Sequence, residues 1–286
     1  MVVFCCKDGK ISGMKLKIIL PTLLVFAVIS APAQDWAKAR LEKSPRHGEW
    51  VTVSNGTRAV QCWVVYPEVK EKATAVVLIH EIFGLTDWAR NAADEVAEAG
   101  YIAIAPDLLS GMGPGGGKTS DFADQSGATA AVGRLPSDQV TGDLNAAADY
   151  VKALPAANGK IVVAGFCWGG SQSFRFACTR PDLKAAFVFY GGPPSAAEME
   201  RIKCPVYGFY GGNDARVTMT VNGPATATFT NAVELMKKAG KTYEPVVYDG
   251  AGHGFMRGGE DPSGREGDKK AHDEAWVRWK ELIKKV

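Results

Sequence analysis

Apolar and polar positions follow two alternating rhythms along this chain. Ala75–Ile79, Ile102–Ala105, Ile161–Ala164, Ala185–Tyr190 and Val206–Tyr210 are short, nearly uninterrupted apolar runs rich in Val, Ile and Phe. Runs of that length without polar alternation belong to strands buried on both faces, as in parallel sheets. Between them the apolar residues recur at helical spacing: from about Asp87 to Ala99, closed by Gly100, and through Asp143, Leu144, Ala147, Tyr150 and Val151 with Ser137 as the expected cap. A helix from about Ala227 to Lys238, a strand over Thr242–Tyr248 and a terminal amphipathic helix burying Ala275, Trp276, Trp279, Leu282 and Ile283 complete the pattern. Near the start, Glu49–Val53 and Ala59–Tyr66 flank Asn55-Gly56, a hairpin signal that places an antiparallel edge on the sheet. Strands alternating with amphipathic helices predict an α/β fold with a mostly parallel sheet.

Three stretches break the rhythm. Ser110–Pro136 carries Gly111, Gly113, Gly115, Gly116 and Gly117 and few large apolar residues. A long excursion at the carboxyl end of a strand predicts a functional or mobile segment rather than a packed one. Gly259–Gly267 reads as a second glycine-and-charge loop. The third is the beginning of the chain, where Met14-Lys-Leu-Lys precedes an apolar run from Ile18 to Ile29, and Ala31-Pro-Ala33 fits small-x-small cleavage before Gln34. The run falls short of the about 20 residues a membrane span needs. Residues 1–33 are therefore expected to be a leader with a secretory signal peptide, with Met14 as the true start. Residues 34–286 are expected to form one α/β domain, exported to the periplasm or secreted, with no stable membrane span after cleavage.

Composition changes this picture little. The 286 residues are 46% hydrophobic and 22% charged, with a formal net charge of +2, which argues against a nucleic-acid partner. Beyond the leader the cysteines are Cys62, Cys167, Cys178 and Cys204. With Cys167 free, at most one disulfide can form among the other three.

The candidate chemistry gathers on Gly165-Phe-Cys167-Trp-Gly169-Gly170, set between the strand Ile161–Ala164 and a helix implied by Phe174, Ala177 and Cys178. Gly-x-Cys-x-Gly-Gly at a strand-to-helix turn is the nucleophile-elbow pattern with cysteine in place of serine. Glycines on either side give room to a residue held in a strained conformation, and the helix N-terminus behind the sulfur favours negative charge. The bland reading is a buried cysteine acting as a small hydrophobe. Strand, glycines and helix agree against it.

A cysteine nucleophile needs a base and a group that orients the base. Of the four histidines, His47 and His272 read as solvated, and His80 ends a strand beside Glu81. His253 stands in Gly-Ala-Gly-His-Gly directly after a strand, where a glycine-rich loop can carry an imidazole over the sheet edge. Asp214 ends another strand between Cys167 and His253 in the chain; Asp249 is the alternative acid, better suited to its turn. Carboxyl ends of parallel strands share one edge, so Cys167, Asp214 and His253 can converge there.

The set His80-Glu-Ile-Phe-Gly84, Gly165-Phe-Cys-Trp-Gly-Gly170, Gly211-Gly-Asn-Asp214 and Ala251-Gly-His-Gly-Phe-Met-Arg257 resembles the dienelactone hydrolase family, over about residues 48 to 285. The resemblance implies the α/β-hydrolase fold, a mostly parallel central sheet with helices on both faces. It implies Cys167 as nucleophile, His253 as base and Asp214 as its orienter, and Glu81 as a carboxylate that meets the thiol in the resting enzyme. It also implies an oxyanion hole from the backbone N–H groups of Ile82 and Trp168. Arg257 matches a family arginine that binds a substrate carboxylate, and Arg134 is the sole arginine in the 110–136 excursion to serve as a second.

The reaction expected is hydrolysis of a carboxylic ester or lactone, dienelactone-like and by the resemblance anionic, through a thioester acyl-enzyme, by a monomer. Thiolate leaves a tetrahedral intermediate more readily than an amine or a plain alkoxide does, so activated esters are favoured over amides. No cofactor and no metal are called for. The metalloprotease pattern His-Glu-x-x-His fails because Gly84 holds the second histidine's place. The rival reading is an inactive binding or scaffold protein on the same fold, and it predicts erosion of Cys167, Asp214 or His253, all of which are present.

Overall fold

The computed structural model describes residues 35–215 and 229–286. The signal-peptide reading of residues 1–33, with cleavage near Ala33/Gln34, lies outside the described residues. So does the expected first turn at Ala227.

Eight strands form one sheet in the order β1-β2-β4-β3-β5-β6-β7-β8: β1 Gly48–Asn55, β2 Arg58–Val65, β3 Ala73–Ile79, β4 Ile102–Pro106, β5 Ala157–Phe166, β6 Ala186–Phe189, β7 Val206–Gly211 and β8 Tyr243–Tyr248. The hairpin β1–β2 pairs antiparallel about Asn55↔Arg58, β2 pairs antiparallel with β4, and every other neighbour is parallel. The carboxyl ends of β3, β5, β6, β7 and β8 therefore open on one edge.

The uniformly apolar runs become strands covered on both sides, and side-chain alternation divides them between two cores. Ala75, Val77 and Ile79 of β3 face one cluster, together with Val163, Val188 and Val206. Val76 and Leu78 face the other, with Val162, Phe187 and Phe209. Helices α4 Ser137–Ala153 and α5 Trp168–Thr179 cover the first face through Leu144, Ala147, Phe174 and Ala177. On the other face Ala37 of α1 Asp35–Lys43, Trp88 and Val96 of α2 Asp87–Glu98, and Ala275 and Trp279 of α9 Glu266–Ile283 are buried. The remaining helices are α3 Gln125–Val132, α6 Ala196–Met199, α7 Phe229–Lys238 and α8 Phe255–Glu260. Among the described residues no helix is long and apolar enough to cross a membrane.

Three expectations are corrected. The 110–136 excursion is packed: α3, capped by the Asp124 side chain on the Gly127 amide, buries Ala128, Ala131 and Val132 with Leu109 against Ile82 and Trp168. Small side chains at helical spacing suffice for this, and bulk is not needed. Thr119 pins the same segment, its Oγ1 accepting from the Leu85 amide at 3.0 Å and donating to Asp107 Oδ1 at 2.7 Å. Ser137 does not cap α4; Pro136, extended at ψ 136°, takes the cap position and draws Ser137 into the first turn. Part of the second glycine loop is helical, because α8 runs through Gly258 and Gly259; a Cβ on Gly259 would stand 2.4 Å from Cβ of His272. Those glycines serve helix-on-helix approach.

The cysteines Cys62, Cys167, Cys178 and Cys204 are all free. Burial pushes the Cys62, Cys178 and Cys204 thiols up to about 12, which leaves them inert.

Candidate active site

Cys167 sits at the junction of β5 and α5 with φ 55° and ψ −116°, a conformation that non-glycine residues seldom adopt. The turn is held because its backbone has two anchors: the Cys167 amide donates to the Phe189 carbonyl at 3.0 Å, and its carbonyl accepts from the Ser171 amide at 3.2 Å. The flanking glycines are obligatory. A Cβ on Gly165 would fall 2.0 Å from the Gly169 oxygen, and one on Gly169 would fall 2.3 Å from the His80 oxygen. The elbow is thereby pressed against the end of β3.

Two further strand ends complete a hydrogen-bonded line. His253, on the loop after β8, places Nε2 3.0 Å from Cys167 Sγ and Nδ1 2.6 Å from Asp214 Oδ2. Asp214 is 2% exposed, so its carboxylate is held out of water against the imidazole. Burial opposes charge on His253, but the Asp214 bond and then the Cys167 bond outweigh it and raise its pKa to about 9. Gly254, at φ 74°, turns the chain directly into α8 behind the imidazole.

Trp168 is the first helical residue of α5 and Ile82 follows the end of β3. Among the hydrogen bonds of the described residues, neither amide has a backbone acceptor, so both remain available as donors.

Glu81 is placed differently from expectation. Its carboxylate accepts from Arg257 Nε at 2.7 Å, and the thiol's partner is His253 instead. Glu81 is 3% exposed, and a charge-assisted bond to guanidinium satisfies a buried carboxylate far better than a thiol does. Arg257, on the first turn of α8, also lies 5.3 Å from the Phe83 ring. Arg134 is exposed just after α3, and no described contact ties it to this cluster.

Two residues escaped the sequence reading. His80 is fully buried; its Nδ1 bonds the Glu81 carbonyl at 2.7 Å, its Nε2 accepts from the Leu108 amide at 3.4 Å, and its ring stacks on Trp168 at 5.7 Å. Burial holds its pKa below the usual imidazole range. It thus braces the loop that carries Glu81 and Ile82. Tyr190, at the end of β6, has φ 41° and sets its ring edge-on 5.2 Å from His253. Burial raises its phenol well above the usual range, with the Glu81 charge adding to the effect. Their signal was positional, since both follow buried strands at the same edge. His272, expected in solvent, has a side chain only 12% exposed, because α8 packs over it.

A family model described as the dienelactone hydrolase family matches residues 60–286. The chain belongs to that family. Provisionally named carboxymethylenebutenolidases are among its relatives. One from Methylorubrum extorquens is 32% identical over 63% of this chain and 62% of its own length. One from Salmonella typhimurium is 32% identical over 66% and 70%. The chain thus spans less than two thirds of the first relative's length. Among solved structures, a provisionally assigned dienelactone hydrolase from Klebsiella pneumoniae superposes with a TM-score of 0.68 at 25% identity, over 82% of this chain and 96% of that one. A dienelactone hydrolase-like promiscuous phosphotriesterase from metagenomic libraries gives 0.70 at 23% identity, over 84% and 98%, which speaks for the fold alone.

Proposed function

We propose that this member of the dienelactone hydrolase family cleaves a carboxylic ester or lactone through a Cys167 thioester. The observation that carries the reading is the single hydrogen-bonded line from Asp214 through His253 to the Cys167 sulfur. In the first half-reaction the neutral form of His253 takes the Sγ proton at Nε2 and the sulfur attacks the acyl carbon. The carbonyl oxygen gathers negative charge between the amides of Ile82 and Trp168, where each donor contributes about 2.7–4 kcal/mol of transition-state stabilisation in comparable sites. Collapse expels the alcohol or enol oxygen, which takes the proton back from His253, and a lactone remains attached through its opened acyl end. In the second half, water gives a proton to His253 and its oxygen attacks the thioester; the Cys167 sulfur leaves and is reprotonated. Asp214 holds the imidazole's other nitrogen and stabilises the imidazolium in both halves.

Activated leaving groups favour thiolate chemistry, and the names of the relatives point to an enol lactone such as a dienelactone. Arg257 is the side chain best placed to receive an anionic group, after yielding Glu81. The reading includes export after removal of residues 1–33 and function as a monomer of residues 34–286. Trapping tests it: a slowly deacylating activated ester, quenched in acid, should leave one acyl group per chain on the peptide containing Cys167. An acyl group on another residue, or none during turnover, would reject the mechanism.

A further inference from the structure

Outside the catalytic edge, a second, largely buried constellation joins three helices. Glu95 of α2, Glu260 at the end of α8 and His272 of α9 each offer a ligand atom, and these atoms lie within 4.8 Å of one another. This is no surface cluster: the Glu260 side chain is 2% exposed, and those of Glu95 and His272 are 12% exposed. Trp88 Nε1 and Asn91 Nδ2 donate to the two oxygens of Glu260 at 2.8 and 2.9 Å and so fix its orientation.

The imidazole supplies a second observation. His272 Nδ1 lies 3.0 Å from Asp273 Oδ1, and with the N–H on that side Nε2 is left as a lone-pair donor. That Nε2 is shut off from solvent, has no hydrogen-bond partner among the described residues, and faces Glu260 Oε1 at 3.7 Å. An imidazole nitrogen and a carboxylate oxygen so placed can share one cation between them. A carboxylate that orients the far nitrogen of a histidine is also the usual outer support of a metal-bound imidazole.

Charge balance points the same way. Among the described residues Arg40 of α1 is the permanent cation on both carboxylates, its Nη1 2.7 Å from Glu260 Oε2 and 3.3 Å from Glu95 Oε1. One guanidinium against two carboxylates leaves a net negative charge in a buried place, which is costly. A divalent ion would neutralise both without a proton. The Arg40 side chain is 52% exposed and free to swing out.

We propose that Glu95, Glu260 and His272 form a binding site for one divalent transition cation of the zinc class, which displaces the Arg40 guanidinium. Two carboxylates and one imidazole suit such ions better than the all-oxygen shells of calcium or magnesium. The fourth position, where Arg40 now reaches, is left to water. The ion would clasp α2, α8 and α9 and takes no part in the acyl-transfer reading, on which it does not depend.

The test uses the full chain, without affinity tag, in the Cys167→Ala background so that the catalytic thiol cannot bind metal. After stripping with a chelator, the protein is titrated with Zn2+ and with Co2+, reading bound metal per chain, cobalt absorption and Tm. The expected result is one ion per chain, with Tm rising by roughly 5–10 °C at a hundredfold excess over Kd. His272→Ala should weaken binding by about tenfold to a hundredfold or more while keeping the metal-free Tm. Arg40→Ala, which removes an exposed competitor, should bind at least as tightly as the parent. Should His272→Ala lower the metal-free Tm, the Arg40 variant still decides by its affinity. Failure to bind one equivalent, an unchanged Kd in His272→Ala, or lost binding in Arg40→Ala would each overturn the site.

Discussion

Arg257 Nε donates to Glu81 Oε2 at 2.7 Å, so the arginine proposed to receive a substrate anion already holds a buried carboxylate. The pair is asymmetric: the Glu81 side chain is 3% exposed and that of Arg257 is 32% exposed. Removing the arginine therefore strands a charge out of water. Arg257→Ala should cost about 3 kcal/mol, at the low end for a buried pair because the arginine is partly wet. Adding Glu81→Gln to that variant should restore most of the loss. Thermal unfolding of the two single variants and the double variant measures the coupling; additive losses would show that the pair contributes nothing.

The same bond makes Glu81 a competitor of any anionic substrate. Glu81→Gln should lower KM for an anionic lactone while leaving KM for a neutral p-nitrophenyl ester unchanged. Arg257→Ala should cost roughly ten- to a hundredfold in kcat/KM on the anionic substrate alone, the value of one charge-assisted hydrogen bond. Equal losses on both substrates would assign Arg257 to support of the His253 loop. Because Glu81 does not touch the sulfur, Glu81→Gln should also leave the rate of iodoacetamide alkylation of Cys167 unchanged.

The strained elbow separates catalysis from stability. Cys167→Ala should abolish hydrolysis with little change in Tm, since alanine must accept the same φ of 55°. Cys167→Gly should be equally inactive yet more stable than the alanine variant, because glycine relieves a conformation that costs about 1–3 kcal/mol. Differential scanning calorimetry of the two variants decides it; a less stable glycine variant would mean that the turn is unstrained.

His253 links the site to pH. Its folded pKa is raised to about 9 from the ordinary 6.5, so protonation favours the folded state. The stabilisation is complete below about 6.5 and is lost as pH rises through 9. Tm should therefore fall between pH 6.5 and 9, and Asp214→Asn, which removes the main source of the rise, should flatten that slope. The same variant should lower kcat by about 10^4 if the imidazole needs its carboxylate as in other such triads. A slope unchanged in Asp214→Asn would place its origin elsewhere.

Export is tested at the amino terminus. Mass spectrometry of the processed protein should find a chain beginning at or near Gln34; a product that keeps Ile18–Ile29 in the membrane fraction would favour an anchor.

The local part of this protein was legible in order along the chain. Apolar runs without alternation could only be strands with both faces covered, and Gly-x-Cys-x-Gly-Gly between strand and helix admits few backbones, because a Cβ on Gly165 or Gly169 has no space. The parallel sheet then required Asp214 and His253 to reach the same edge as Cys167. Partner choice within that edge was another matter. Glu81 could have faced the thiol or the arginine, and the choice fell to distance and burial across residues 176 positions apart. His272 could have been solvated, but α8 closes over it, and Ala128, Ala131 and Val132 could have belonged to a mobile loop, but Ile82 and Trp168 supply a surface for them. Periodicity and steric exclusion act between near neighbours and are written in the sequence. Desolvation and the pairing of buried charges depend on which distant groups share a low-dielectric space, and only the folded chain decides that.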